Sequence, residues 1–187
     1  MPAAPPIARL PLRRWLKEGT RTLHDRLDAS VEEGEYLAED ANYARFLQAQ
    51  YSARAAIEAW AARHMPDALR PPPTAQLIAS DLRDLGVGCP MPRAFAPPSD
   101  ADSLGVAWAI GGSAMGNKTL LLRRRLAGAV MAERFLSDPA GAAYFRSLLP
   151  RLAAPASEAE AQPAIEAAAA VFELFLATVA NHAKATA

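Results

Sequence analysis

Apolar positions recur with a helical period over most of the chain, and no segment shows the strict alternation of a half-buried strand. Leu12, Leu16, Leu23 and Leu27 fall on one face at about 100° per residue and predict a first helix over 12–30. An acidic connection with a glycine break, 31–39, follows. Asp40 is placed to cap a second helix over 41–64, whose inward side carries Tyr43, Phe46, Leu47, Gln50, Tyr51, Ile57 and Trp60. Prolines at 66 and 71–73 break the pattern. Thr74 then predicts the cap of a short third helix holding Leu77, Ile78, Leu82 and Leu85, stopped by Gly86. Residues 86–99 read as a proline-rich loop. Ser99, Asp100 and Asp102 open a long helical segment that runs to about Gly128. A further helix is predicted over 137–149, with Ser137 or Asp138 as cap and Pro139 in its first turn. The last, over 163–183, carries Ile165, Val171, Phe172, Phe175, Leu176 and Val179, after an Ala/Pro/Glu connection at 150–163. No hairpin turn and no repeat of fixed period appears. The expectation is an all-α chain of six or seven helices.

Length changes this picture little: 187 residues suit one domain with a sizeable core, here 12–187 behind a flexible proline-rich arm at 1–11. Twenty basic and 20 acidic side chains cancel, so charge points neither to nucleic acid nor to an anionic membrane. The single cysteine, Cys89, excludes an internal disulfide and agrees with a reducing compartment. The N-terminus lacks a signal-type apolar run, and no stretch approaches about 18 uninterrupted apolar residues. The expectation is a cytoplasmic soluble protein with no nucleic-acid or membrane partner.

Two stretches carry candidate chemistry. In LKEGTRTLHDRLD, the residues beside the leucine stripe are Lys17, Thr20, Arg21, His24 and Asp28. His24 can ligate a metal through one ring nitrogen while Asp28, one turn on, holds the other and fixes the tautomer. Lys17 and Arg21 suit an anionic ligand. An ordinary surface His–Asp pair has the same spacing. In GVAWAIGGSAMGNKTLLLRRR, three mid-helix glycines, Gly111, Gly112 and Gly116, weaken the helix by roughly 2–3 kcal/mol relative to alanine. Glycine there admits a ligand or another helix, or permits a kink. Gly19 raises the same question in the first helix. The basic run of Arg123, Arg124 and Arg125 reads as a solvated helix end. His64 sits at a helix terminus, His182 near a frayed end, and Cys89-Pro90 in a loop. HExxH, a P-loop and paired CxxC are absent, as are the Glu-x-x-His pairs of di-metal bundles.

Together the two stretches resemble the heme oxygenases, particularly the bacterial, biliverdin-producing members. LKEGTRTLHDRLD resembles their proximal helix, where Leu-(Lys/Arg)-x-x-Thr-x-x-x-His supplies the axial ligand. WAIGGSAMGNKTLLLRR resembles their distal helix. The resemblance implies a single-domain helical bundle with heme sandwiched between a proximal and a kinked distal helix. It makes His24 the iron ligand, Asp28 its partner, and Lys17 and Arg21 propionate contacts. Gly112, Ser113, Gly116 and Asn117 become the distal catalytic set. The implied reaction cleaves heme, which is both substrate and cofactor, to biliverdin, CO and ferrous iron. O2 is the co-substrate. Electrons come from an external ferredoxin or reductase, because no flavin or NAD fingerprint is present. The chain departs from the bacterial pattern at Gly111 in place of glutamate, Asn117 in place of glycine and Trp108 in place of tyrosine. Those departures leave open a non-catalytic heme-binding sensor or carrier on the same fold.

Overall fold

The computed structural model describes residues 8–33 and 39–184. Residues 1–7 of the expected arm, most of the 31–39 connection and the His182 side chain lie outside that description. Seven α-helices are present among the described residues: α1 (Leu12–Glu33), α2 (Asp40–His64), α3 (Ala75–Asp84), α4 (Ser103–Leu126), the single turn α5 (Arg134–Ser137), α6 (Ala140–Leu152) and α7 (Glu158–Lys184).

The all-α expectation holds, and α7 is its axis. Ala161, Ala164, Ala167, Ala168, Val171, Phe172 and Phe175 are buried along it, and α1, α2 and α4 all pack against it. Small side chains let these helices approach closely. At Gly105 of α4, a Cβ would lie 2.0 Å from the Ala164 carbonyl oxygen, so only glycine fits. Gly19 of α1 answers its own question: a Cβ there would meet the Ile165 side chain at 2.6 Å, so it serves helix packing. By length and mean hydropathy (1.6) Glu158–Asn181 is apolar enough to cross a membrane, yet half of that window is buried by its neighbours. Its apolar character is that of a central core helix.

Several local expectations are corrected. Leu10–Pro11 (β1) pairs antiparallel with Pro155–Ala156 (β2), so the arm is tied down before residue 11. Arg9 bonds Glu160 and the Pro155 carbonyl, and the Trp15 indole donates to Ala156 at 2.8 Å. The 150–163 connection is mostly helical: α6 runs to Leu152 and α7 starts at Glu158. Ser157 and Glu160 start α7 as a reciprocal capping box, with Glu160 Oε2 accepting from Ser157 N at 2.7 Å. Asp40 does not cap α2. It lies within the first turn and pairs with Arg124 at 2.9 Å. Thr74 occupies the N-cap of α3 without capping it. Glu58 of α2 accepts from Thr74 N (2.8 Å) and Ala75 N (3.0 Å) instead. Asp102 does cap α4, accepting from Leu104 N at 2.8 Å.

The largest correction on α4 is Arg124. It is fully buried rather than solvated, with its guanidinium 3.6 Å from the centre of the Tyr43 ring. Arg123 and Arg125 on either side remain exposed, Arg125 in an ion pair with Glu133.

Candidate functional site

His24 projects from α1 on the face beside its buried leucines. Its Nδ1 lies 3.2 Å from Asp28 Oδ2, and its side chain keeps 55% of its surface. With Nδ1 engaged by the carboxylate, Nε2 carries the lone pair and is available as a donor atom. The ring meets Phe172 of α7 edge-on at 5.8 Å, and the same Phe172 meets Trp108 of α4 at 6.3 Å. Phe172 therefore forms a floor between α1 and α4, with His24 on one side and Trp108 on the other.

Trp108, Gly112, Met115, Gly116 and Thr119 share one face of α4 at helical spacing. Where that face begins, Gly105 is pressed on α7 and Trp108 touches Phe172. Beyond Trp108 it opens. A Cβ at Gly112 would meet only Phe145, at 3.9 Å, and at Gly116 nothing within 4 Å. Met115, Leu122 and Leu126 are exposed along the same side. Helix propensity disfavours Gly116, and packing gives no reason for it. Gly111 differs: it faces α6, where a Cβ would come within 3.1 Å of Phe145 and 3.3 Å of Tyr144. α4 itself continues as one helix through all three glycines.

The other sequence candidates are placed as follows. Lys17 and Arg21 lie on the His24 side of α1 and, with Arg14 and Glu18, line an open depression of about 330 Å³. Asn117 is buried and turned away from the glycine face, its Nδ2 donating to the Phe135 carbonyl at 3.4 Å. The expectation that Asn117 reaches toward a distal ligand is corrected by that geometry: half a helical turn separates it from Trp108's stripe. Ser113 borders the glycine face, but its hydroxyl is engaged. It donates to the Ile110 carbonyl at 2.7 Å and accepts from Arg54 at 2.8 Å. His64 stacks on Trp60 at the end of α2, and Cys89 is exposed in its loop.

Arg54 is the polar residue the sequence reading missed. It is 3% exposed, at the centre of the helix bundle. Its Nε donates to Gln50 (3.1 Å), Nη1 to Thr74 (3.3 Å) and Nη2 to Ser113. The Phe135 and Phe175 rings lie 4.8 and 5.7 Å from it. Burial lowers its pKa to about 10, with Glu58 opposing. The group stays cationic at neutral pH.

Comparison with known proteins now decides the architecture. The chain superposes on the NO- and CO-bound heme oxygenase of Neisseria meningitidis with a TM-score of 0.74 over 92% of each chain, at 20% sequence identity. The fold is heme-oxygenase-like. No family model and no curated protein sequence matches the chain.

The residues of this heme-oxygenase-like fold fit a metal macrocycle. Among the described residues, no three His, Cys, Asp or Glu side chains converge as a metal cage. A metal at His24 would have to bring its remaining donors with it. The space beside Gly112 and Gly116 would be narrowed by any larger side chain, and Phe172 and Trp108 supply apolar walls. A flat, apolar ligand with an accessible metal and an anionic edge matches a lone imidazole, bare helix backbone and two nearby cations.

Proposed function

We propose that the chain binds heme between α1 and α4 and degrades it oxidatively to biliverdin, CO and ferrous iron. Phe172, which meets both His24 of α1 and Trp108 of α4, together with the α4 face at Gly112 and Gly116 that packing leaves open, is the observation that carries this reading. Heme, when bound, supplies the iron that activates O2 and is itself the substrate. His24 holds the iron through Nε2, and Asp28 fixes the imidazole tautomer. Lys17 and Arg21 take the propionates. Gly112 and Gly116 let the macrocycle lie against α4 backbone, and Phe172 and Trp108 exclude water from its apolar face. Ser113 belongs to the distal face as an acceptor, and Asn117 supports α4 from behind. Electrons enter from an external donor, a ferredoxin or a reductase. The cytoplasm is the compartment where such donors and the reduced Cys89 coexist.

A second reading is a heme sensor or carrier. It is favoured by the Ser113 hydrogen, which is committed to Ile110 and not offered to a bound ligand. Hemin titration of the wild-type chain and of His24→Ala tests the shared premise. A Soret complex lost in the variant supports it, and identical titrations sink it. Adding O2 and a reductant then separates the two readings: bleaching with biliverdin release indicates turnover, and a persistent oxy spectrum indicates the sensor.

A further inference from the structure

A buried arginine without an ion pair is costly unless every N–H it presents finds a partner. Each of the three guanidinium nitrogens of Arg54 makes one hydrogen bond, and none of the three goes to a carboxylate. The nearest acid, Glu58, spends its Oε1 on Thr74 N, Thr74 Oγ1 and Ala75 N at the start of α3. The Arg54 guanidinium is directed instead to Gln50 of its own helix, to Thr74 beside α3 and to Ser113 of α4. Its two aromatic neighbours come from α5 and α7. One side chain thus joins its own helix α2 to α4, α5, α7 and the N-cap residue of α3, and its shortest hydrogen bond, 2.8 Å, ends on Ser113, next to Gly112. A small cavity of about 10 Å³, room for roughly one water, adjoins it, lined by Thr74, Asn117 and Asp138 among others.

That stretch of α4 carries the two glycines that weaken the helix with little packing in return: a Cβ at Gly112 would meet only Phe145, at 3.9 Å, and one at Gly116 nothing within 4 Å. We propose that Arg54 is a positioning residue for the glycine face: through Ser113 it clamps residues 112–116 at a fixed height above α7 and places a fixed positive charge behind them. The charge is buried beside the Phe135 and Phe175 rings and tied by three hydrogen bonds, so it does not swing out to solvent. Ser113, with one lone pair taken by Arg54 and its hydrogen by Ile110, is the rigid link between the cation and the helix backbone. The fork geometry matters as well as the charge, because three separate partners are reached at once.

The inference rests on the heme reading only for its ligand-side consequence, so the test has two arms. In the hemin-free chain, hydrogen exchange of the α4 amides at 113–119 is followed for wild type, Arg54→Met, Arg54→Lys and Ser113→Ala. Arg54→Met and Ser113→Ala are expected to raise exchange in that segment about tenfold, the loss of roughly one charge-assisted hydrogen bond. Exchange in α6 should be unchanged, and Arg54→Lys should restore part of the protection. In the hemin complex, Arg54→Met is expected to raise the pH midpoint of the acid–alkaline spectral transition by several tenths of a unit or more. Arg54→Lys should leave it near wild type. If Arg54→Met does not fold, Ser113→Ala, which removes only a hydroxyl, decides the first arm. Unchanged α4 exchange in Ser113→Ala overturns the clamp, and an unmoved midpoint in a folded Arg54→Met overturns the charge. Failure of the wild-type chain to take up hemin sinks the heme reading while leaving the exchange result intact.

Discussion

Gly116→Ala should make the ligand-free protein more stable and its ligand complex weaker. Gly116 is exposed in the interior of α4, and a Cβ there meets nothing within 4 Å. Alanine therefore gains helix propensity without a clash, about 0.5–1 kcal/mol. For a chain of this size, that raises Tm by roughly 1–4 °C. The same methyl stands in the space assigned to the macrocycle. Forcing one methyl into a filled contact costs about 1–3 kcal/mol, a loss of roughly five- to 150-fold in hemin affinity. Gly116→Leu should extend both trends, the affinity loss most strongly. Thermal melts of the ligand-free variants, followed by helical circular dichroism, give the first number, and hemin titrations give the second. A lower Tm for ligand-free Gly116→Ala would show that packing, not a ligand, needs the glycine. A higher Tm with undiminished hemin affinity in both variants would show that no ligand uses the open face.

Gly105→Ala should behave in the opposite sense, losing about 3 kcal/mol or more, because its methyl would overlap the Ala164 carbonyl unless α4 and α7 separate; denaturant titration measures it. Glu58→Ala should cost about 1–2 kcal/mol by leaving the first amides of α3 without their acceptor, and α3 amides should lose exchange protection first. Arg125 and the Ser157 amide hold the Glu133 and Glu160 carboxyls below their usual 4.5, so the stability they add is present above that value and falls as pH drops through their lowered folded-state values. Chemical denaturation from pH 6 to pH 3 should therefore show a shallower acid-side decline in Glu133→Gln/Glu160→Gln than in wild type.

Helical phase in the sequence was enough to place most of the bundle and to put His24 on the face beside its leucines, since each helix shows its neighbours one apolar stripe. Phase also holds information that composition obscures. Tyr43, Leu47, Gln50, Arg54, Ile57 and Ala61 step along α2 by fours and threes, so Arg54 stands at a buried register although its charge suggests surface. Ile110, Asn117, Leu121 and Arg124 do the same on α4, which is why one arginine of a basic run is interior and why Asn117 cannot face the glycine stripe. The Ser-Glu-Ala-Glu start of α7 was hidden by its alanine- and proline-rich surroundings. Pairing of Leu10–Pro11 with Pro155–Ala156 was not legible at all, because two-residue strands leave no period.

The glycines of α4 separate the two kinds of constraint that sequence alone merges. Gly105 and Gly111 are explained by what touches them, Ala164 in one case and Phe145 with Tyr144 in the other. Gly112 is barely contacted and Gly116 is not contacted at all, yet both weaken the helix they sit in. A fold that tolerates that cost on one open face, beside an imidazole whose other nitrogen is already engaged, and then secures the same turn from behind with a buried guanidinium, concentrates its exceptions to ordinary helix packing in one place. The proposed heme reading accounts for these exceptions together, since it places the ligand between α1 and α4 with the cations of α1 at its edge.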